Sequence, residues 1–277
     1  MRPLGWLDVV QHHGVVQHHE DTLDRYVQRV QADPNAIAVI LVGSVARGTE
    51  RPDSDVDVYL VVSDDVFDSA IADHRVIAEE SSDATYRGGY VDVKLVTVAL
   101  LDAAAERGDD PVRASFEDAR VAWVRDGYDI AGRVAAIPVL PATAWDRRAI
   151  SFMSEVWWHG TDFLPQAIAS GNAFLLHHAA VHTVLAGGRA LLALNRTLYR
   201  GPRYLDATLA TLDREPDGYR DLARQLITQP SQEGADAYVQ ALESFHPWPM
   251  DRAASASIFI RNNEHAWHTG ILPPELS

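Results

Sequence analysis

The sequence predicts an α+β protein, with a small mixed β-sheet and flanking helices first and an α-helical bundle after it. Short apolar or alternating segments typical of strands occur in the first half, and longer helical periods fill the second. Between the halves, residues 137–141 hold two prolines, which interrupt both helices and strand ladders. We therefore expect a sheet-bearing domain over residues 1–138 and a helical domain over residues 143–277.

The first half alternates between helical and strand patterns. Apolar residues at helical spacing predict a helix over residues 15–32, which the Asp33-Pro34 pair ends. The unbroken apolar run of residues 36–42 is typical of a buried strand. The other elements predicted here are a strand over 55–62, a helix over 66–80, strands over 85–87 and 90–98 that form a hairpin at Gly88-Gly89, a helix over 99–107 and a strand over 120–124.

Helical periodicity dominates the second half. The predicted helices cover residues 147–164, 173–194, 203–212, 219–226 and 234–245. Helices that follow one another this closely are expected to pack as a bundle.

The composition excludes several classes of protein. The chain has 277 residues, of which 47% are hydrophobic and 23% charged, so it can bury a core. It has no cysteine, which excludes disulfides, thiolate zinc sites and thiol nucleophiles. No apolar run approaches the roughly 20 residues of a membrane span, and the first residues lack a signal-peptide pattern. We expect a cytoplasmic protein with no membrane partner.

The charge is strongly acidic and unevenly distributed. The formal net charge is −15, and residues 1–140 hold 25 acidic and 13 basic residues, which gives −12. A duplex-binding protein needs a basic face for the phosphates, so we expect no nucleic-acid partner. A surplus of carboxylates instead favours divalent metals and cationic small molecules.

A candidate phosphate-binding turn follows the first predicted strand. Gly43 and Ser44 come directly after its last apolar residue. Glycine lets the backbone approach a ligand closely, a serine hydroxyl can donate, and a helix start directs free N–H groups outward. This combination is typical of phosphate binding.

Three carboxylates are predicted on one face of the sheet. Asp55 and Asp57 lie two residues apart on a strand, so both leave the same face and repel each other unless a cation lies between them. Asp92 and Lys94 share one face of a later apolar strand, and we expect it to be the same face. Oxygen ligands beside a phosphate-binding turn favour magnesium.

These motifs resemble the DNA polymerase β-like nucleotidyltransferase superfamily. The pattern is Gly43-Ser44, a ten-residue spacer, Asp55-Val56-Asp57 and a later strand with Asp92 between apolar residues. It is most similar to the minimal and antibiotic-modifying members, such as the kanamycin, streptomycin and lincosamide nucleotidyltransferases, and it covers about residues 36–96. The resemblance implies that Gly43 and Ser44 hold a nucleoside triphosphate. It also implies that Asp55 and Asp57 bind two magnesium ions, while Asp92 binds the catalytic one and helps to take the hydroxyl proton.

The expected activity is magnesium-dependent transfer of a nucleoside monophosphate to a hydroxyl of a small acceptor. AMP from ATP is the favoured transferred group. An aminoglycoside-like antibiotic and a biosynthetic metabolite are both open as acceptors, and the protein is expected to be a monomer or a homodimer. The alternative is an antitoxin-type nucleotidyltransferase that modifies or sequesters a partner protein. A third possibility, an RNA nucleotidyltransferase, is disfavoured by the acidic charge.

Three cations are candidates for binding the nucleotide. Lys94, the only lysine in the chain, either neutralises phosphate charge or pairs with an acidic neighbour. Arg47 either reaches the triphosphate or stays solvated. Arg203 belongs to a local cluster of arginines and either binds phosphate or bonds to the acidic first half.

One helical stripe in the second half is a candidate acceptor site. Ser151, Glu155, Trp158 and Asp162 share it, and Glu155 and Trp158 are the predicted acceptor-binding residues. The alternative is a solvated stripe with one aromatic residue.

A pair of histidines has metal-chelating spacing. His178 and His182 lie four residues apart on one predicted helix, but no carboxylate accompanies them in that helix. The sequence therefore favours core or cleft histidines over a metal site.

Overall fold

The protein, described here from a computed structural model, divides into two compact units, Met1–Val139 and Leu140–Ser277. The structure describes the backbone of residues 6–270 and the side chains of residues 17–270. The predicted α+β class is confirmed, because the first unit contains a five-stranded mixed sheet and the second unit is helical. We propose that the two units correspond to the two predicted domains.

The first unit is built around the sheet, whose strand order is β3-β4-β2-β1-β5. Strands β2 and β4 pair in parallel and the other neighbours pair antiparallel. The strands are β1 Ala36–Leu41, β2 Val56–Val62, β3 Ile77–Glu80, β4 Val91–Val96 and β5 Arg120–Val124. The helices are α1 Trp6–Val30, α2 Gly43–Arg47, α3 Asp64–Ala72, α4 Val98–Arg107, α5 Asp110–Ser115 and α6 Ile130–Ala136.

Both faces of this sheet are covered, which explains the unbroken apolar run of β1. All six residues of β1 are buried. On one face, Leu23 and Tyr26 of α1 pack against the sheet, and on the other face Leu101 of α4 and Ile130 of α6 do so. A strand that is buried on both faces needs apolar side chains at every position rather than at alternate ones.

The predicted helix over residues 66–80 and the predicted hairpin at Gly88-Gly89 are both wrong in part. The helix ends at Ala72, and residues 77–80 form the edge strand β3, which pairs antiparallel with β4. Residues 85–87 do not form a strand, and the hydroxyl of Thr85 instead donates to the carbonyl of His18 on α1 at 2.7 Å. An exposed edge strand that ends in two glutamates carries no alternating apolar pattern, so no sequence pattern predicts it.

The second unit is a set of helices around α7 and α9. The predicted helix over 173–194 is confirmed at both ends, whereas the one predicted from residue 147 begins earlier, and a π-helical turn follows it. The helices are α7 Ala142–Trp158, the π turn His159–Phe163, α8 Leu164–Ser170, α9 Ala173–Leu194, the 3-10 turn Pro202–Tyr204, α10 Leu205–Leu209, α11 Tyr219–Thr228, α12 Gln232–Phe245, α13 Arg252–Asn262 and α14 Ala266–Thr269. Within residues 6–270, no helix has both the length and the apolar character needed to cross a bilayer.

Candidate active site

The turn after β1 is shaped by a glycine that no other residue can replace without strain. Gly43 has φ +71°, and a Cβ built on it would lie 1.9 Å from Oδ2 of Asp57. The backbone N–H of Val42 donates to the carbonyl of Asp57 at 3.0 Å, which fixes the turn against β2. Ser44 follows in α2 and is partly exposed. The predicted turn therefore lies directly against one of the predicted carboxylates.

The three predicted carboxylates come together at the start of the two interior strands β2 and β4. Asp57 on β2 and Asp92 on β4 face each other in the parallel register, and Asp55 immediately precedes β2. One carboxylate oxygen from each lies within 4.8 Å of the other two, and all three residues are partly buried. Neighbouring strands lie about 4.8 Å apart, so the parallel pairing itself brings Asp57 and Asp92 close together.

The electrostatics of this acidic triad fit a divalent cation. Burial, and then the charge of Asp55, raise the pKa of Asp57 from 3.8 to about 6. Among the described residues, Oδ1 of Asp92 is buried and finds no hydrogen-bond donor. A cation with oxygen ligands would satisfy that oxygen and remove the mutual repulsion of the three carboxylates. The donor set is therefore one that magnesium prefers.

Two cations lie close to the triad. Nζ of Lys94 is 3.4 Å from Oδ2 of Asp92, and the side chain is 46% exposed. Burial is the largest single influence and lowers the pKa of Lys94, but the surrounding groups, Asp92 first and then Tyr59 and Asp57, together outweigh it, so the pKa is raised. Arg47 is basic in the last turn of α2, and its charge opposes the rise in the pKa of Asp57. Lys94 thus pairs with an acidic neighbour, one of the two roles predicted for it.

Three residues outside the predicted site contact the segment before β2. The hydroxyl of Tyr90 hydrogen-bonds to Asp55, which is the main reason that the pKa of Tyr90 is raised. Tyr86 donates to the carbonyl of Ser54, and Nε2 of His19 lies 3.1 Å from the same oxygen. These contacts join segments far apart in the chain, so no local motif reveals them.

The remaining predicted site residues lie in the second unit. Arg203 is exposed in the 3-10 turn, with its guanidinium 5.5 Å from the ring centre of Tyr204. Trp158 stacks on Phe259 at 5.0 Å. Glu155 is 2% exposed. Their roles in nucleotide and acceptor binding stay predictions.

The alternative prediction of a solvated stripe in α7 is wrong. Ser151 and Glu155 are buried, and only Asp162 of that stripe is exposed. Asn262 donates to the hydroxyl of Ser151, and Asn263 donates to Glu155, so α13 covers this face of α7. A helix that is polar in sequence can be buried where a later helix supplies matching amides.

The segment that contains this site matches a known protein family. The family model of the nucleotidyltransferase domain matches residues 23–106, the segment that carries the glycine turn and the whole acidic triad. Residues 23–106 therefore form a nucleotidyltransferase domain, and the predicted resemblance to nucleotidyltransferases is confirmed. The protein is an enzyme of the nucleotidyltransferase class.

Two solved structures are similar to the chain at low identity. A nucleotidyltransferase-like protein from Exiguobacterium sibiricum 255-15 is 12% identical with a TM-score of 0.47, over 91% of this chain and 79% of that one. Spectinomycin adenyltransferase AAD(9) from Enterococcus faecialis, solved with ATP and spectinomycin, is 14% identical with a TM-score of 0.30, over 86% and 97%. A search of curated proteins finds no match.

Proposed function

We propose that the enzyme transfers AMP from ATP to a hydroxyl of a small acceptor, in a magnesium-dependent reaction that releases pyrophosphate. The observation that carries this proposal is the convergence of Asp55, Asp57 and Asp92 beside the Gly43 turn, within the segment that matches the nucleotidyltransferase domain. Carboxylates this close are costly without a cation, so their arrangement favours a metal-dependent reaction at a phosphate.

The triad would hold the magnesium ions. Magnesium bound there would stabilise the attacking and leaving oxygens of an in-line displacement at phosphorus. Asp92 is the residue that we propose as the proton acceptor, since one of its oxygens faces Lys94 and the other has no donor among the described residues. The acceptor oxygen then bonds to the α-phosphorus, its proton passes to Asp92, and the bond to the pyrophosphate oxygen breaks.

The cations beside the triad suit the triphosphate. Gly43 brings the turn against Asp57, so a triphosphate bound on the turn lies next to the carboxylates. Arg47, one helical turn further on, and Lys94, on the neighbouring strand, would balance part of its negative charge. Arg203 is proposed as a further phosphate ligand on its charge and exposure alone.

The charge of the chain favours a cationic acceptor. Residues 1–140 carry −12 of the total −15, so positively charged small molecules are concentrated near this unit and polyanions are repelled. A compound with several amines and hydroxyls, such as an aminoglycoside, combines the required charge with the required nucleophile. We infer this acceptor class, rather than a nucleic acid, from the charge.

The test measures magnesium-dependent pyrophosphate release from each nucleoside triphosphate with pooled aminoglycosides, lincosamides and nucleosides. We expect release to depend on an acceptor, to be fastest with ATP and to fall by at least about 10²-fold in Asp92→Asn. Asp68→Asn, which removes an exposed carboxylate of α3, is the matched control and should leave the rate unchanged.

Two results would contradict the proposal in different ways. If Mg-ATP binds but no small acceptor supports release, the acceptor is a macromolecule, as in the antitoxin-type alternative. If ATP does not bind in the presence of magnesium, the assignment of the Gly43 turn and the triad is wrong.

A further inference from the structure

The second unit contains a cluster of three histidines that the proposed reaction does not use. His159 begins the π turn after α7, and His178 and His182 lie on α9. The ring centres are 4.2 Å apart for His178 and His182, 4.9 Å for His159 and His182, and 5.6 Å for His159 and His178. All three rings therefore contact one another.

Solutes can reach this histidine cluster. His178 and His182 are four residues apart on one face of α9 and are partly exposed. They border an open groove on the surface of the helix, which is lined by Ala173, Phe174, His177, His178, Val181 and His182. An ion in solution can thus approach the pair directly.

The fold supplies the carboxylate that α9 itself lacks. Oε2 of Glu155, on α7, lies 3.5 Å from Nε2 of His159. Asn263, at the end of α13, donates to the other oxygen of Glu155. Histidines that bind metals typically engage a carboxylate through the second ring nitrogen, which fixes the ring and makes it a better ligand. His159 and Glu155 lie at ion-pair distance, and a small turn of the imidazole would bring them into this relation.

Burial and backbone geometry single out the same position. His159 and Glu155 are 1% and 2% exposed, and a buried carboxylate is costly unless the groups around it compensate. His159 also lies at the first residue of the π turn, a backbone form that is rare and found frequently at functional sites. The rings of Phe163 and Phe259 form apolar walls beside it.

The size of the cluster matches tetrahedral coordination. With zinc–nitrogen bonds of about 2.1 Å and about 1.1 Å from nitrogen to ring centre, three imidazoles around one zinc ion have centres about 5 Å apart. The observed distances of 4.2, 4.9 and 5.6 Å bracket this value. Among the described residues only the acidic triad already has three donor atoms within 4.8 Å, so metal binding requires the imidazoles to turn in place.

We propose that His178 and His182 bind a divalent transition metal of the zinc type, with His159 as third ligand and Glu155 as the positioning residue behind it. Imidazole nitrogens select zinc, nickel and copper, whereas the carboxylates of the acidic triad select magnesium. The site would join α9 to the π turn after α7 and so stabilise the second unit.

The test titrates the full chain, with any affinity tag removed, with Co²⁺ and then Zn²⁺. The protein used in every titration, called the background protein, carries Asp55→Asn, Asp57→Asn and Asp92→Asn, so that the acidic triad cannot bind the ion. We expect one equivalent of Co²⁺ with the visible absorption of a tetrahedral site, displacement by Zn²⁺ and a higher Tm with Zn²⁺. His178→Asn and His182→Asn should each weaken binding about 100-fold or more, and Glu155→Gln about 10- to 100-fold with the cobalt spectrum retained.

His177→Asn is the matched control, since His177 is an exposed histidine of the same helix and groove and is not a proposed ligand. It should bind Co²⁺ as tightly as the background protein does. Circular dichroism of the metal-free variants checks that they fold. His178 and His182 are both partly exposed, so each substitution should be tolerated, and if one variant does not fold the other still tests the proposal. The proposal fails if Co²⁺ and Zn²⁺ do not saturate a site at micromolar concentration, or if His178→Asn and His182→Asn bind like His177→Asn.

Discussion

At the scale of single residues, the candidate active site depends on one missing side chain. Gly43 leaves the space that Oδ2 of Asp57 occupies, and its φ of +71° is a conformation that other residues adopt only with strain. Gly48, at the end of α2, has a similar φ of +66° but open space around it. Comparing substitutions at the two glycines therefore distinguishes the effect of backbone strain, which both share, from the effect of the close approach to Asp57, which only Gly43 has.

We expect Gly43→Ala to lower activity by at least about 10²-fold and to destabilise the protein by about 1–3 kcal/mol more than Gly48→Ala. Both substitutions carry the same cost of about 1 kcal/mol for the left-handed backbone, but only the first displaces a carboxylate of the triad. Pyrophosphate release and denaturant unfolding of both variants measure the difference. Equal effects of the two would show that contact with Asp57 is unimportant.

Lys94 is the other residue whose replacement gives an informative result. Its ammonium group lies 3.4 Å from Asp92 and already offsets part of the negative charge that attracts a metal. We expect Lys94→Met to bind Mn²⁺ or Mg²⁺ alone about 5- to 10-fold more tightly, because a repelling charge is removed. Calorimetric titration without nucleotide measures this affinity.

Arg75→Met is the control for Lys94→Met, because it removes an exposed cation that pairs with Asp73 instead. Metal affinity should not change in that variant. An unchanged or weaker affinity in Lys94→Met would mean that the ion binds away from Asp92.

At the scale of elements, the parallel pairing of β2 with β4 creates the site. It places Asp57 directly opposite Asp92 and so produces a cluster of charge that the protein without metal must tolerate. The elevated pKa of Asp57, about 6 against 3.8, is a measure of that cost. Because the folded-state pKa is higher than the unfolded one, folding favours the protonated carboxyl, and ionisation destabilises the fold as pH rises from about 4 to about 6.

We therefore expect Asp57→Asn to be more stable than the wild type at pH 7 without metal, by about 1–2 kcal/mol after allowance for the partial exposure of the site. The difference should shrink as the pH falls from about 6 to about 4, and magnesium at pH 7 should stabilise the wild type only. Chemical denaturation at several pH values, with and without magnesium, gives the answer. A stability difference that is the same at pH 4 and pH 7 would contradict it.

The sequence allowed most elements of the first unit to be predicted, but not their pairing. β1, β2, β4 and β5 were indicated by apolar runs or alternation, since each has at least one side packed in the core. β3 was not predicted, because residues 77–79 are exposed on an edge strand and so show no apolar pattern. The glycine turn and the carboxylates were recognisable because their chemistry lies in short local motifs. Tyr90 and the buried environment of Glu155 were not, because their partners are remote in sequence.

At the scale of the whole molecule, the two units differ in charge and in the kind of site they carry. Residues 1–140 carry most of the net charge and contain an oxygen-ligand site, whereas the second unit carries little net charge and contains an imidazole cluster. On the two proposals made above, magnesium and zinc-type metals would bind at separate positions. Measurements of magnesium dependence should accordingly be made with trace transition metals removed.

Lys94 also has a practical consequence. It is the only lysine in the chain, so its ε-amine and the α-amino group are the only alkyl amines that acylating reagents can reach. Amine coupling to a sensor surface, a resin or a fluorophore would thus attach the protein through its α-amino group or through the candidate active site, rather than at many positions over the molecule. Immobilisation through introduced cysteines leaves the site open, since the natural chain contains no thiol.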